Sequence, residues 1–265
     1  LLSFIPEATP KYAAPRHLLP LTLALEQALA RPVRAVVHAP PRHAKTETVL
    51  HAISYWLIKR AALTVAYASY AAQITRSKSR KARALCERAG IVLAQDAKNL
   101  AEWRTEEGGG LLATSTGGPL TGQGVDIMLV DDPIKGRAEA ESRLIRDRIW
   151  EWFSDVVMTR VEPGGSVFVV MTRWHEQDLA GRLLKEQGKH KQDCADPVCH
   201  GCGPSPEDGY EEIRLPAISD AGEALWAERW PLEALQRRKR EVGEYTWSSL
   251  YQGRPRRRGG KVFEG

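Results

Sequence analysis

Lys45 with Thr46, and Asp131 with Asp132, are the residues whose types and settings suit phosphate chemistry. Residues 33–48, VRAVVHAPPRHAKTET, read as a buried strand, a tight polar turn and a helix opening on Lys-Thr. Such a turn aims backbone N–H groups and a helix N-terminus at a polyphosphate, while its lysine reaches the β and γ phosphates and its hydroxyl reaches Mg²⁺. Pro41, Arg42, His43, Ala44, Lys45, Thr46 and Glu47 are therefore the expected ATP-binding residues. Arg42 would stabilise charge gathering on the terminal phosphate if it points inward, and is merely solvated if it points outward. The strict pattern G-x-x-x-x-G-K-[ST] is not met, since Ala39 and Ala44 stand at the two glycine positions. Alternatively, the segment is an ordinary strand-turn-helix with a solvated lysine.

The second constellation lies about 85 residues on. Residues 125–132, VDIMLVDD, form an apolar strand ending in two carboxylates, and the carboxyl ends of parallel strands are where open α/β sheets bind ligands. Asp131 is expected to hold Mg²⁺ and its waters, and Asp132 to orient or deprotonate an attacking water. Asp-Asp-Pro is also a good turn and helix start. A further apolar run at 166–171, SVFVVM, is crowned by Thr172, Arg173, Trp174 and His175. Thr172 is placed to sense the terminal phosphate, whereas His175 is expected to make a structural hydrogen bond.

The elements that must hold these groups alternate. A helix over 18–29 precedes the loop, and the helix after it carries Val49, Leu50, Ile53, Trp56 and Leu57 on one face. A strand over 63–69 leads into a helix over 71–88 bearing Arg76, Lys78, Arg80, Lys81 and Arg83. That basic face would track a nucleic-acid backbone or simply be solvated. The Gly- and Thr-rich stretch 103–124 predicts short strands or a hairpin and a loop, and residues 137–152 a charged helix. Strands alternating with helices predict an α/β fold with a mainly parallel central sheet flanked by helices. Upstream, Tyr12, Arg16 and His17 are candidates to pack against or bond to an adenine.

With 265 residues, a formal charge of +5 and a pI near 9.0, the chain can bury a large core and suits a polyanionic partner where its cations share a face. No apolar run approaches membrane-spanning length and the start is not secretory, so an intracellular, non-secreted protein without a membrane partner is expected. Three of the four cysteines crowd into residues 190–209, HKQDCADPVCHGCGPSPEDG. Cys194, Cys199 and Cys202, with His190 or His200, would supply four tetrahedral ligands to a structural Zn²⁺. Otherwise the segment is a reduced, unliganded loop.

Taken together, PPRHAKT at 40–46, ASY at 68–70, GGPLTGQG at 117–124, LVDDPIK at 129–135, TRWHEQDLAGRLL at 172–184 and GEALWAERWPLEALQRRKREVGEYTWSSLYQGRP at 222–255 occur in an order that resembles the ATPase half of the large terminase subunit of tailed bacteriophages. The resemblance covers nearly the whole chain. It implies a P-loop NTPase of the additional-strand, conserved-glutamate type, with Lys45 and Thr46 on ATP and Mg²⁺, Asp131 as the acidic strand-end residue, Asp132 at the catalytic carboxylate and coupling through Thr172. It also implies a core over 1–189, a Cys-rich insertion over 190–210, and a lid or linker subdomain over 211–265 leading to a nuclease domain absent from this stretch. The implied partners are double-stranded DNA, a portal protein, a small terminase subunit and copies of the chain in a ring on the prohead, in the host cytoplasm; alone it would be a monomer. Three residues depart from the family's pattern: Ala44 for glycine, Asp132 for a longer glutamate, and Gln123 where relatives often show a basic residue. They leave two other classes in play, a nucleotide- or DNA-binding module with lost or weak ATPase activity and a helicase-like nucleic-acid ATPase.

Overall fold

The computed structural model describes residues 1–95, 99–120, 122–186 and 209–256. Helices α1 (Phe4–Ala8) and α2 (Leu19–Gln27) precede strand β1 (Arg34–His38), which feeds α3 (Lys45–Lys59). Strand β2 (Thr64–Ser69) is followed by α4 (Ala72–Arg88), then by the hairpin of β3 (Glu102–Arg104) and β4 (Gly110–Ser115). After β5 (Val125–Asp131) come α5 (Arg137–Glu141), α6 (Arg143–Trp152) and a π-helical turn, Phe153–Val157. Strand β6 (Val161–Met171) leads to α7 (Leu179–Glu186), and β7 (Glu211–Arg214) leads to α8 (Leu232–Thr246) and a second π-helical turn, Trp247–Tyr251.

The seven strands form one sheet in the order β3-β4-β2-β5-β6-β1-β7, parallel everywhere except at the β3–β4 edge. Because crossovers cover both faces, the central strands are buried on both sides and read as continuous apolar runs. Ala35, Val37, Tyr67, Leu129 and Phe168 pack under α2, α3 and α4. Their alternates Val36, Ala66, Met128, Val130 and Val169 pack under α5, α6 and α7. A third, small cluster joins Ala217, Leu235 and Trp247. Register fixes the functional edge: His38 lies beside Met171 and Asp131 beside Val170, so the chain leaves β1, β5 and β6 at one rim.

The helix expected over 137–152 is broken at Ser142, whose hydroxyl accepts the Ile145 N–H and caps α6. Helix α7 starts at Leu179, because Asp178 takes the N–H groups of Trp174, His175 and Gly181 and so ends the preceding turn. Helix α8 is kinked where Gly243 adopts φ 77°, and the π turn follows it. The proposed zinc ligands His190, Cys194, Cys199, His200 and Cys202 lie outside the described residues. Among the described residues no group of three or more His, Cys, Asp or Glu side chains is placed to hold a metal, and no helix is long and apolar enough to cross a membrane.

Trp56 ties α3 to both α2 and the sheet: its indole N–H donates to the Leu25 carbonyl at 2.8 Å, its ring stacks near Phe168, and it is fully buried. Trp56→Ala is expected to destabilise the fold by about 3–5 kcal/mol in a denaturant titration; a loss below about 1 kcal/mol would show that α3 is not anchored there.

Candidate active site

The turn between β1 and α3 is built without the expected glycines, yet it takes their conformation. Arg42 and Ala44 sit at φ 65° and 64°, in the left-handed region. For residues with a Cβ this costs roughly 1–2 kcal/mol each, so the surroundings must hold them there. Ala44 is the N-cap residue of α3, and its carbonyl accepts both the N–H and the hydroxyl of Thr48 at 3.0 Å. The methyl group at position 44 is thus accommodated. Lys45 follows as the first helical residue and is almost completely buried.

Lys45 joins the ends of three strands. Its Nζ donates to the Thr172 hydroxyl at 2.8 Å and to the Pro40 carbonyl at 3.4 Å, and lies 3.8 Å from Asp132 Oδ2. The other Asp132 oxygen accepts the Thr172 N–H at 2.7 Å. Asp132 itself has φ 46°, a conformation that aspartate tolerates better than most residues. Lys45, Asp132 and Thr172, predicted from three separate segments, therefore form one connected group.

Asp131 sits just beneath. It is buried, and its Oδ2 accepts the Tyr67 hydroxyl at 2.8 Å across the β2–β5 pair. Burial, and then the neighbouring Asp132 charge, lift its carboxyl to about 6. The Tyr67 and Thr46 hydroxyls and the Lys45 ammonium pull in the opposite direction. Oδ1 of Asp131 is left buried with no hydrogen-bond partner of good geometry. Tyr67 pays for its own burial in the same bond, its phenol held well above its ordinary range by burial and by Asp131. A cation between Thr46 and Asp131 Oδ1 would meet hard oxygen donors of the kind Mg²⁺ prefers.

A cavity of about 530 Å³ opens above these groups, lined among others by Arg42, Lys45, Thr46, Asp132, Thr172 and Arg229. A second, of about 250 Å³, shares Tyr12, Ala44, Glu47, Trp226 and Arg229 with it and continues towards Ile5 and His17. Another hollow, about 710 Å³, lies elsewhere, between α7, β7 and residues 253–255, and contains none of the phosphate-site residues. Pro41 lines the first cavity and Glu47 both, with Glu47 also ion-paired to Lys81. His43 turns away from the cavity: its Nδ1–H donates to the Pro41 carbonyl at 2.9 Å, and burial pushes its pKa down to about 4. His175 accepts the Gln177 N–H at 3.0 Å, a structural bond. Of the upstream candidates, Tyr12 lines both cavities, His17 stacks on Trp226 with ring centroids 4.1 Å apart, and Arg16 is exposed. The residues that sequence reasoning missed are Tyr67, which reads as core in an apolar strand, and Trp226, Arg229 and Trp230, which share the repetitive WAERW segment.

Lifting a buried carboxyl from 3.8 to about 6 destabilises the folded state when it ionises, by roughly 3 kcal/mol at most. The penalty is absent below about pH 4, grows as pH rises towards 6, and is complete above. In Mg²⁺-free buffer at pH 7.5, Asp131→Asn is therefore expected to raise the thermal midpoint, with a gain of about 1–3 kcal/mol that shrinks towards pH 4. A gain independent of pH, or none, would mean that the carboxylate is compensated in the folded protein.

Comparison with solved structures places the fold beside phage large terminases. An ATPase-domain variant of the Thermus phage P74-26 large terminase superposes with a TM-score of 0.55 at 11% identity, over 84% of this chain and 89% of that one. Its unaltered form gives 0.52 at 14% identity, over 84% and 90%. The HK97 bacteriophage large terminase gives 0.61 at 13% identity, over 96% of this chain, which spans about half (54%) of that protein. The sheet and its loop are thus a P-loop NTPase fold. Curated protein sequences give no match. The family profile described as the N-terminal part of the terminase large subunit, T4likevirus-type, matches residues 36–265. The chain belongs to the terminase large subunit family, as its N-terminal part.

Proposed function

We propose that this chain is a Mg²⁺-dependent ATPase that couples hydrolysis to translocation of double-stranded DNA into a viral prohead. The observation that carries the proposal is the Lys45–Thr172–Asp132 group, with Asp131 and Thr46 beneath it, at the floor of one cavity. In this reading Lys45 and the loop N–H groups of residues 41–47 hold the β and γ phosphates. Thr46 and Asp131 Oδ1 hold Mg²⁺, which supplies charge neutralisation on the phosphates. Asp132 orients the attacking water and can take its proton at Oδ2. Arg42 stabilises charge at the terminal phosphate, and Thr172 reports it to the segment that follows. The adenine takes the smaller cavity, where Tyr12 and Trp226 offer aromatic walls.

Residues 1–189 act as the motor core and 211–265 as its lid and linker. DNA would be gripped through the phosphate backbone, without sequence reading. Supporting this, Arg76 and Arg80 are exposed on α4, as are Arg237 and Arg240 on α8. Arg238 and Lys239 contribute less, being paired with Glu241 and Glu244. A portal protein, a small terminase subunit and further copies of the chain in a ring are the partners this function requires, in the cytoplasm of the host.

The deciding experiment is steady-state ATP hydrolysis with Mg²⁺, with and without duplex DNA and over a range of protein concentrations, on the parent, Lys45→Ala and Asp132→Asn. Both variants are expected to fall at least about a hundredfold, with nucleotide binding retained in Asp132→Asn and weakened in Lys45→Ala. A parent that binds ATP but never hydrolyses it at any concentration would mark a binding module and remove the mechanism.

A further inference from the structure

The two strained residues of the phosphate loop flank His43, and His43 is held from three directions. Its own Nδ1–H donates to Pro41, two residues back. Its carbonyl accepts the His17 Nε2–H at 3.1 Å. Its ring lies nearly parallel to that of Trp230, with centroids 5.9 Å apart and planes 13° apart, and edge-on to Trp226 at 6.3 Å. His17 in turn stacks face to face on Trp226 at 4.1 Å and 13°. The Trp226–Trp230 turn is closed by the Trp230 N–H donating to the Trp226 carbonyl at 2.7 Å, and Arg229 lies between them with its guanidinium 5.3 Å from the Trp226 ring. Three rings from two distant segments, His17 and the 226–230 turn, thus converge on the one loop residue that sits between two left-handed ones.

We propose that Trp226 and Trp230 are positioning residues for the phosphate loop: by clamping His43 they hold the Arg42–Ala44 turn in its phosphate-receiving shape, a task that glycine's conformational freedom would otherwise make unnecessary. Strained backbone persists only where its surroundings over-determine it, and Ala44 has only a methyl group, packed against the core, with which to anchor itself. The same turn carries Arg229 to the wall of both cavities. A change in the position of residues 226–230 therefore alters the loop and withdraws a cation from the site together. Trp230 lines neither cavity, so its effect on nucleotide passes through the loop or through Trp226 and Arg229 of its own turn, and rescue by Ala44→Gly separates the two routes.

The inference rests on the nucleotide reading of the site for one of its two readouts. The test is a double-mutant cycle of Trp230→Leu and Ala44→Gly, read by calorimetric binding of ADP with Mg²⁺ and by thermal unfolding without nucleotide. Trp230→Leu is expected to weaken ADP binding about tenfold or more, equivalent to about 1.4 kcal/mol. Ala44→Gly in that background is expected to restore binding to within about threefold of the parent, a larger gain than the same substitution gives in the parent, because glycine needs no clamp. The midpoint of unfolding is expected to rise more on adding Ala44→Gly to Trp230→Leu than to the parent. Binding of Trp230→Leu within about twofold of the parent, or a double variant no better than Trp230→Leu, overturns the clamp. A parent that binds no nucleotide refutes the proposed function instead, and the unfolding cycle alone then decides: coupling supports the clamp and additivity overturns it. If Trp230→Leu does not fold, Trp230→Phe, which keeps a ring, and His43→Leu, which removes its partner, take its place in the same cycle, with the parent-like result expected only of the former.

Discussion

Asp131 is a carboxylate buried in the sheet with a second carboxylate next to it and one oxygen unpartnered, and the surrounding structure is arranged around that electrostatic liability. A lone buried charge tends to neutralise itself. Here three groups oppose this: a tyrosine hydroxyl from the neighbouring strand, the Thr46 hydroxyl from the first turn of α3, and an ammonium that is itself shared between Thr172 and Asp132. None of the three fully satisfies the acid. The contacts fix the register nearby: the Tyr67–Asp131 bond requires β2 and β5 to keep theirs, and the bonds of Thr172 to Lys45 and Asp132 require β5 and β6 to end level.

Much of this was legible in the sequence, for a physical reason. An apolar run that ends abruptly in polar residues announces both a buried parallel strand and the rim where it emerges, so Asp131, Asp132 and Thr172 could be placed on one edge without knowing the strand order. Lys45 and Thr46 were legible because a helix face begins directly after them. Tyr67 was not, since a tyrosine within TVAYAS looks like core, and only the pairing of β2 with β5 shows that its hydroxyl has an acid to meet. The break at Ser142 was hidden in a similar way, a charged helical pattern running straight through a residue that can also cap. Residues 226–230 carry no local signal at all: their partners are His17 and His43, some two hundred residues away, and stacking leaves no periodicity.

The absent glycines illustrate the limit from the other side. Composition suggested that a methyl group at position 44 would obstruct the loop, and the backbone accepts the left-handed conformation regardless. A one-line pattern records the residue that makes a conformation easiest, while a folded protein needs only that the net energy be favourable. Contacts from the rest of the chain can make up the difference. A loop stabilised in that way becomes dependent on those contacts, which a glycine-built loop is not.

The segment leaving the site is stiff for reasons that bear on how a motor of this family would use it. Thr172, in contact with Lys45 and Asp132, is followed by Arg173, whose guanidinium forms a buried two-point pair with Asp178 at 2.9 and 3.0 Å. Asp178 also takes the N–H groups of Trp174, His175 and Gly181, so the turn 173–178 is wound about one saturated carboxylate. The carbonyls of Arg173 and Trp174 accept the Ser249 hydroxyl at 3.0 and 3.2 Å, and Arg137, which donates to Trp174, also lies over the Tyr245 ring. A flexible loop here would absorb a displacement at Thr172. A turn with its hydrogen bonds filled has little freedom to do so, and a shift of Thr172 relative to Lys45 must either break the Arg173–Asp178 pair or move the segment 245–249 as well. Breaking a buried pair costs about 3–5 kcal/mol, so the turn 173–178 is a stiff connection between Thr172 and the residues 245–249 that pack on it.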